Sequence, residues 1–178
     1  KFLTGRPLYL DCQDYEADVN RLTPFQKKIF MLFEDKWLPQ SAALISYHTE
    51  FLKTRLVQLG YAEKPFYYVP NGVDRDRFKY VDEKLLSHLR EKYGVSKKKV
   101  VMYFGSLSLK SGHNVDLLLE AFLIVKRNIP NAFLLLVGGG ENIDDLKGMV
   151  DPALQDAVVF TGRVDPGLIP TYIKLANV

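Results

Sequence analysis

Short, almost continuous apolar runs alternate along this chain with longer segments in which apolar residues recur every three or four positions. The short runs predict buried strands, and the longer segments predict amphipathic helices. This alternation is typical of a parallel sheet with helices on both faces, so we expect an α/β, Rossmann-like fold. The predicted strands are PLYLDC (residues 7–12), AALISYH, FYYVP, VVMYF, AFLLLVG and VVFTG.

Six helices are predicted between and after these strands. Thr23 and Pro24 supply a cap and a first-turn proline, while Gly60 and Gly94 are natural helix ends. The helix that follows VVMYF places one apolar stripe on its predicted buried face: Leu117, Leu118, Ala121, Phe122 and Val125. The other helices are predicted at residues 23–39, 49–59 and 83–93, after Glu141, and around 168–175.

One segment, PNGVDRDRFKYVDEK (residues 70–84), interrupts the alternation with proline, Asn-Gly and many charges. Such composition is typical of a connection between domains, although a long surface loop is the alternative. We place the boundary near Asn71 and expect one domain at residues 1–72 and a second at 73–178.

Composition narrows the class of protein only a little. Hydrophobic residues at 47% and charged residues at 25% are those of a soluble globular protein. The formal charge of +3 is too small to indicate a nucleic-acid partner. A single cysteine, Cys12, favours a reducing compartment, and no apolar run is long enough for a transmembrane segment. We expect a cytoplasmic protein; peripheral association with a membrane stays open for the full-length chain.

The first loop, GSLSLKSGH (residues 105–113), follows a predicted strand and leads into a helix. Glycine allows close approach of a ligand, and serine hydroxyls, main-chain amides and Lys110 suit a diphosphate at the helix N-terminus. It is not a P-loop, because Leu109 stands where that motif needs a glycine. A tight turn with capping serines is an equally good explanation.

Two further loops end predicted strands at the same edge of the sheet. The second loop, VGGGENIDDL (residues 137–146), lacks the third glycine of a dinucleotide fingerprint because Ile143 occupies it. Its glycines either permit close ligand approach, at Gly138 and Gly140, or serve a turn. In the third loop, FTGRVDPG (residues 160–167), Arg163 is either a ligand to a phosphate or base or a surface side chain.

Other polar residues are weaker candidates. An acidic turn after the first strand could face a cleft and bind an acceptor, but a solvated turn is the preferred interpretation. His48 is best explained as a capping or partly buried histidine, and His88 has no predicted role. The acidic residues of this turn are Asp11, Asp14, Glu16 and Asp18.

Four stretches in sequence order resemble one family. YVPNGVDRDRF, VVMYFGSLSLKSGHNVDLLLEAF, IPNAFLLLVGGGE and VVFTGRVDPGLIPTYIKLANV are similar to retaining GT-B glycosyltransferases of the glycosyl transferases group 1 type, over residues 43–178. The resemblance implies transfer of a sugar from a nucleoside diphosphate sugar to an acceptor hydroxyl with retention, without a metal or other cofactor. The partners implied are a nucleotide sugar and a saccharide or lipid-linked acceptor.

The resemblance also implies the layout of the chain and its site. Residues 1–72 would be the last part of the acceptor-side domain, and residues 73–178 the first part of the nucleotide-sugar-binding domain. Lys110 would be catalytic through the diphosphate. The family's glutamate pair would lie beyond Val178, so we expect this piece by itself to be inactive. Nucleotide-sugar contacts would come from Gly105, Ser106, Ser111, Gly112, Gly138, Gly140, Arg163 and Val164.

The first loop departs from the family pattern at two positions. Ser106 stands where many members have arginine, and Ser111 stands where a lysine is expected, with Lys110 one place earlier. These departures keep a second hypothesis open: a noncatalytic module of glycosyltransferase-like fold that binds a nucleotide or a partner. An epimerase of the same architecture is a third hypothesis, which the PNGVD junction disfavours.

Overall fold

The computed structural model describes residues 5–19, 22–109 and 113–178. Within these ranges the chain forms two compact units, with the division between Val73 and Asp74. We call the described residues before this division unit 1 and those after it unit 2. Each unit contains a three-stranded parallel sheet packed against helices, so the predicted α/β fold is confirmed.

Unit 1 is built on strands in the order β1-β2-β3. Its core lies between this sheet and helix α4, where Ile45, Leu52 and Leu56 are buried. The Arg55 side chain pairs with Asp35 at 2.7 Å and stacks on the Tyr15 ring at 3.7 Å, which fastens the turn after β1 to two helical segments. The elements are β1 (Leu8–Cys12), α1 (Glu16–Val19), α2 (Pro24–Leu32), a π-helical turn (Phe33–Trp37), α3 (Leu38–Ser41), β2 (Ala42–Tyr47), α4 (Glu50–Leu56), a helical turn that is kinked at Gly60 (Val57–Tyr61) and β3 (Phe66–Tyr68).

Unit 2 has strands in the order β4-β5-β6, all parallel. Residues 74–82, which precede its first helix, contain neither helix nor strand. Two of them bond to the end of unit 2, since Arg77 donates to the carbonyl of Pro166 and the Asp82 amide donates to Thr171 Oγ1 at 3.2 Å. The elements are α5 (Glu83–Lys92), β4 (Lys99–Phe104), α6 (Val115–Asn128), β5 (Ala132–Val137), α7 (Ile143–Gly148), a 3₁₀ turn (Pro152–Leu154), β6 (Val158–Gly162), a second 3₁₀ turn (Pro166–Leu168) and α8 (Ile169–Leu175).

Strand β5 is the centre of unit 2, and all six of its residues are buried. Because successive side chains point to opposite faces, Leu134 and Leu136 pack with α6 and α7, while Phe133 and Leu135 pack with α5 and α8. Helices therefore cover both faces of this sheet, which explains why the strand is an unbroken apolar run.

The last residues of the chain return to the outer edge of β4. The Asn177 amide donates to the Val100 carbonyl at 2.8 Å, and the Met102 amide donates to the Val178 carbonyl at 2.8 Å. The chain thus extends from β4 through β5 to β6 in one direction and then crosses back through α8. Ligands of open α/β sheets bind at such a reversal, outside the carboxyl ends of the strands.

Two predictions about helices were wrong in detail. On α6 the buried side chains are Val115, Leu119 and Phe122, while the side chain of Leu117 is 60% exposed. Because Leu117, Leu118 and Leu119 are consecutive, the sequence is compatible with two different buried faces. The face that packs on the sheet is the one that starts at Val115. The first long helix does not end at Pro39, because a π-helical turn precedes α3 and puts this proline in its first turn, where a missing amide costs little.

None of the helices in the described ranges is both long and apolar enough to cross a membrane.

Candidate functional site at the carboxyl end of the second sheet

A cleft of about 360 Å³ opens where the three strands of unit 2 end. The first, second and third loops each contribute to its walls, and the start of α8 completes them. The sheet topology brings these loops together, because parallel strands place all their carboxyl ends at one edge. The lining residues are Phe104, Gly105, Ser106, Val137, Gly138, Gly139, Arg163, Val164, Pro166 and Ile169.

Most of the site residues predicted from the sequence, among those that the structure describes, lie in the wall of this cleft. Gly105 and Ser106 come from the first loop, Gly138 from the second, and Arg163 and Val164 from the third. Gly140 does not line it, although it lies in the second loop. The remaining candidates, Lys110, Ser111 and Gly112, lie outside the described residues.

The first two loops are joined by main-chain hydrogen bonds that continue the pairing of β4 with β5. The Gly105 amide donates to the Val137 carbonyl at 3.0 Å, and the Leu107 amide donates to the Gly139 carbonyl at 3.0 Å. Leu107 itself is fully buried. The described part of the first loop is therefore an ordered extension of the sheet edge.

The second loop needs its glycines for this contact. Gly138 has φ +147°, and a Cβ placed there would come within 1.9 Å of the Gly105 carbonyl oxygen. A Cβ at Gly140 would come within 2.0 Å of the Leu107 carbonyl oxygen. Both glycines thus allow one loop backbone to lie against the other. The sequence indicated close ligand approach or a turn as their role and did not reveal this contact between loops. Gly139, which lines the cleft, was missed, although its place within the triple glycine was a usable signal.

Tyr103 fixes the start of the first loop. Its hydroxyl donates to the Ser106 carbonyl at 3.0 Å, and a Cβ on Gly105 would come within 2.9 Å of that hydroxyl. Burial raises the pKa of Tyr103, so the phenol stays protonated and remains a donor. The tyrosine and the glycine together set the position from which Ser106 reaches the cleft.

Arg163 is the cationic residue among the described residues that line the cleft. Its side chain passes beside Gly139, where an added Cβ would lie 3.5 Å from Arg163 Cβ and 3.7 Å from Nε. The side chain is exposed, and within the described ranges it has no hydrogen-bond or ion-pair partner. The guanidinium is therefore available to an anion that enters the cleft.

Helix α6 begins just after the first loop without a side-chain cap. Asn114, at the N-cap, has the left-handed backbone angles φ 46° and ψ 44°, and its side chain makes no capping hydrogen bond. The first amides of a helix have no partners inside it, and they carry the positive end of the helix dipole. A 14-residue helix thus presents donors directly after the first loop.

The acidic turn of unit 1 is mostly engaged by its neighbours. Asp11 accepts hydrogen bonds from Ser46 at 2.5 Å and from Gln13 at 3.0 Å, and these bonds lower its pKa. Asp18 pairs with Lys27 at 2.5 Å. Asp14 and Glu16 line a cavity of about 300 Å³ next to β1.

His48, His88 and Cys12 lie outside the cleft, and the structure gives none of them a role in it. His48 Nδ1 lies 3.1 Å from the Cys12 carbonyl oxygen, which can only accept, so this nitrogen carries the hydrogen. Burial raises the pKa of Cys12 to about 11, which keeps the thiol protonated. His88 is exposed on α5.

Across residues 5–19, 22–109 and 113–178, no cluster of three or more histidine, cysteine or carboxylate side chains could hold a metal ion.

Comparison with known proteins gives one consistent family. The model of the family "Glycosyl transferases group 1" matches residues 87–178. Over 138 residues the chain is 28% identical to the GDP-mannose-dependent alpha-(1-6)-phosphatidylinositol monomannoside mannosyltransferase of Mycolicibacterium smegmatis, covering 77% of this chain and 35% of that protein. The protein of the same description from Mycobacterium tuberculosis is 33% identical over 112 residues, covering 62% of this chain and 28% of that protein.

Solved structures share the fold. The crystal structure of HepE from Anabaena in complex with UDP and glucose has a TM-score of 0.71 and 20% sequence identity, covering 99% of this chain and 46% of that chain. At this identity the likeness establishes the two-unit α/β architecture alone. The chain spans about a third of the length of the curated relatives and just under half of the solved structure.

Proposed function

Because the chain belongs to the glycosyl transferases group 1 family, we propose that the full-length protein transfers a sugar from a nucleoside diphosphate sugar to an acceptor hydroxyl with retention of anomeric configuration. The observation that carries this proposal is the convergence of three strand-end loops on one cleft that contains Arg163. The curated relatives, described as GDP-mannose-dependent transferases, and the UDP complex of HepE support it.

In this proposal each loop has its own part of the donor. The first loop and the start of α6 serve the diphosphate with main-chain amides, Ser106, Ser111, Gly112 and the catalytic Lys110. Arg163 and Val164 of the third loop serve the phosphate or the base edge, while Gly138 and Gly140 keep the second loop close behind. Cleavage of the donor bond is assisted by electrostatic stabilisation of the departing diphosphate, without a metal or other cofactor.

In this proposal the two parts of the chain bind different substrates. Residues 73–178 bind the nucleotide sugar, and residues 1–72 belong to the acceptor side. The acceptor is a saccharide or a lipid-linked saccharide, in keeping with the relative that is described as acting on phosphatidylinositol monomannoside. We accordingly place the protein in cytoplasmic synthesis of polysaccharide or glycolipid, with peripheral contact to a membrane.

Binding of UDP-, GDP- and ADP-sugars to the full-length protein, measured by titration calorimetry, tests this function. We expect one base to bind in the micromolar range and the same donor to give a product when acceptors are supplied. Proton NMR of the newly formed glycoside should show the anomeric configuration of the donor. An inverted product would overturn retention, and failure to bind any of the three donors would overturn the function.

Replacing Arg163 with alanine should weaken nucleoside diphosphate binding by about ten- to a hundredfold, since a charge-assisted hydrogen bond contributes about 1.5–3 kcal/mol. Arg127→Ala, which removes an exposed arginine from the last turn of α6, is the matched control and should bind normally. Equal affinities for the two variants in the same titration would remove Arg163 from the site.

One observation favours a second candidate function, a noncatalytic module that binds a nucleotide. Ser106 lines the cleft where the family pattern has a cation, so Arg163 is left as the cationic residue among the described lining residues. Such a module would bind a nucleoside diphosphate tightly and turn over no donor with any acceptor. Single-turnover measurement with the bound donor separates the two functions.

A further inference from the structure

Asn142, at the start of α7, uses its side chain to bond to another loop instead of capping its own helix. At an N-cap an asparagine usually accepts from the first amides of its own helix, but this side chain makes no such bond. Its Oδ1 accepts instead from the amide of Leu109 at 3.1 Å, in the first loop and 33 residues earlier in the chain. Its Nδ2 donates to Asp145 Oδ2 at 2.9 Å, which orients the amide so that the oxygen faces Leu109.

This contact completes a regular series. The amides of Gly105, Leu107 and Leu109, at every second residue, donate in turn to the Val137 carbonyl, the Gly139 carbonyl and Asn142 Oδ1. A parallel strand pair has this two-residue repeat. The second loop turns away into α7 after its glycines, so the side chain of Asn142 supplies the acceptor that the backbone no longer offers.

We propose that Asn142 is a positioning residue that holds the end of the described first loop in the geometry needed for the donor diphosphate. The inference rests on the proposed function. Leu107 and Leu109 pack into the core beneath the loop, so the alternate residue Ser106 is turned towards the cleft. Lys110 follows Leu109 directly in the sequence, and the last hydrogen bond of the series therefore fixes the point from which the chain continues to it.

The consequence is selective for one part of the donor. The first loop serves the diphosphate, and the hydrogen bonds of the Asn142 side chain among the described residues go to Leu109 and Asp145, not to Val164 or Arg163 of the third loop. Loss of the Asn142 hydrogen bond should weaken binding of a nucleoside diphosphate by about five- to tenfold and leave binding of the nucleoside within about twofold. A general destabilisation of unit 2 would instead weaken binding of the nucleoside and of the nucleoside diphosphate by the same factor.

The test compares four forms of the full-length protein: wild type, Asn142→Ala, the double variant Asn142→Asp with Asp145→Asn, and the control Asn128→Ala. The double variant exchanges the two side chains, keeps an oxygen for the Leu109 amide and a donor for its partner, and leaves the net charge unchanged. Asn128 likewise uses its side-chain amide in one hydrogen bond, to the Ile124 carbonyl at 2.8 Å, but at the far end of α6. GDP, guanosine, UDP and uridine are the probes in titration calorimetry.

We expect Asn142→Ala to lose affinity for the diphosphate alone, and the exchanged pair to recover it to within about twofold. Unchanged diphosphate binding in Asn142→Ala, an equal loss for nucleoside and diphosphate, or no recovery in the exchanged pair would each overturn the positioning role. If Asn142→Ala does not fold, Asn142→Gln, which moves the oxygen by one methylene, is measured in its place. A wild-type protein that binds neither GDP nor UDP would contradict the proposed function itself.

Discussion

Replacing Gly138 with alanine should destabilise unit 2 by roughly 3 kcal/mol or more and abolish nucleotide binding. The residue has φ +147°, which favours glycine, and an added Cβ would lie 1.9 Å from the Gly105 carbonyl oxygen. That oxygen belongs to the backbone and cannot rotate away as a side chain could. Relief of the clash requires the two loops to separate, which breaks the hydrogen bonds that align them.

Urea unfolding of the purified protein measures this effect, with Gly148→Ala as the matched control. An added Cβ at Gly148, the last residue of α7, meets nothing within 4 Å. The control should therefore change the free energy of unfolding by less than about 1 kcal/mol, in either direction. If Gly138→Ala unfolds at the same urea concentration as the control, the close approach of the two loops is not what the glycine provides.

Replacing Lys110 with alanine should have the largest effect on turnover. If this lysine stabilises the departing diphosphate, its removal should lower kcat by about 10²–10³ and also weaken donor binding, as removal of other transition-state donors does. Steady-state kinetics of the full-length protein, with donor concentration varied at saturating acceptor, separates kcat from KM. The result depends on the lysine because Ser106 supplies no charge where the family pattern has arginine.

Lys97→Ala is the control for the loss of a positive charge, since Lys97 is exposed just before the amino end of β4, away from the strand ends that form the cleft. It should leave both kinetic constants within about twofold. Should Lys110→Ala keep wild-type donor affinity and turnover, the lysine has no part in the chemistry. Arg163 and the main-chain amides would then be the groups that stabilise the diphosphate.

The sheet of unit 2 was predictable because its strands are short apolar runs and its central strand is buried on both faces. β5 reads as an unbroken apolar run, and a glycine follows each of the three strands or ends it, so both the strands and the loops could be located from the pattern. The buried face of α6 could not, because Leu117, Leu118 and Leu119 are equally apolar and only contact with β5 decides between them. Where the apolar periodicity was ambiguous, tertiary packing determined which face of the helix is buried.

The site was predictable as a place and less so as a set of contacts. Parallel strands put Gly105, Gly138 and Arg163 at one edge, and the cleft does contain them. The role of Gly140 in loop packing and the reach of Asn142 to Leu109 depend on contacts between loops that are about 30 residues apart in the chain. No local pattern in the sequence carries such information.

In the function proposed above, the cleft at the carboxyl end of the unit 2 sheet holds the diphosphate of an activated sugar. Hydrogen exchange of the full-length protein, followed by mass spectrometry with and without saturating GDP or UDP, tests it most directly. We expect slower exchange in the peptides that contain residues 104–109 and 138–142 and in the one that contains Arg163. Binding that leaves these peptides unchanged and protects only other parts of the protein would contradict it.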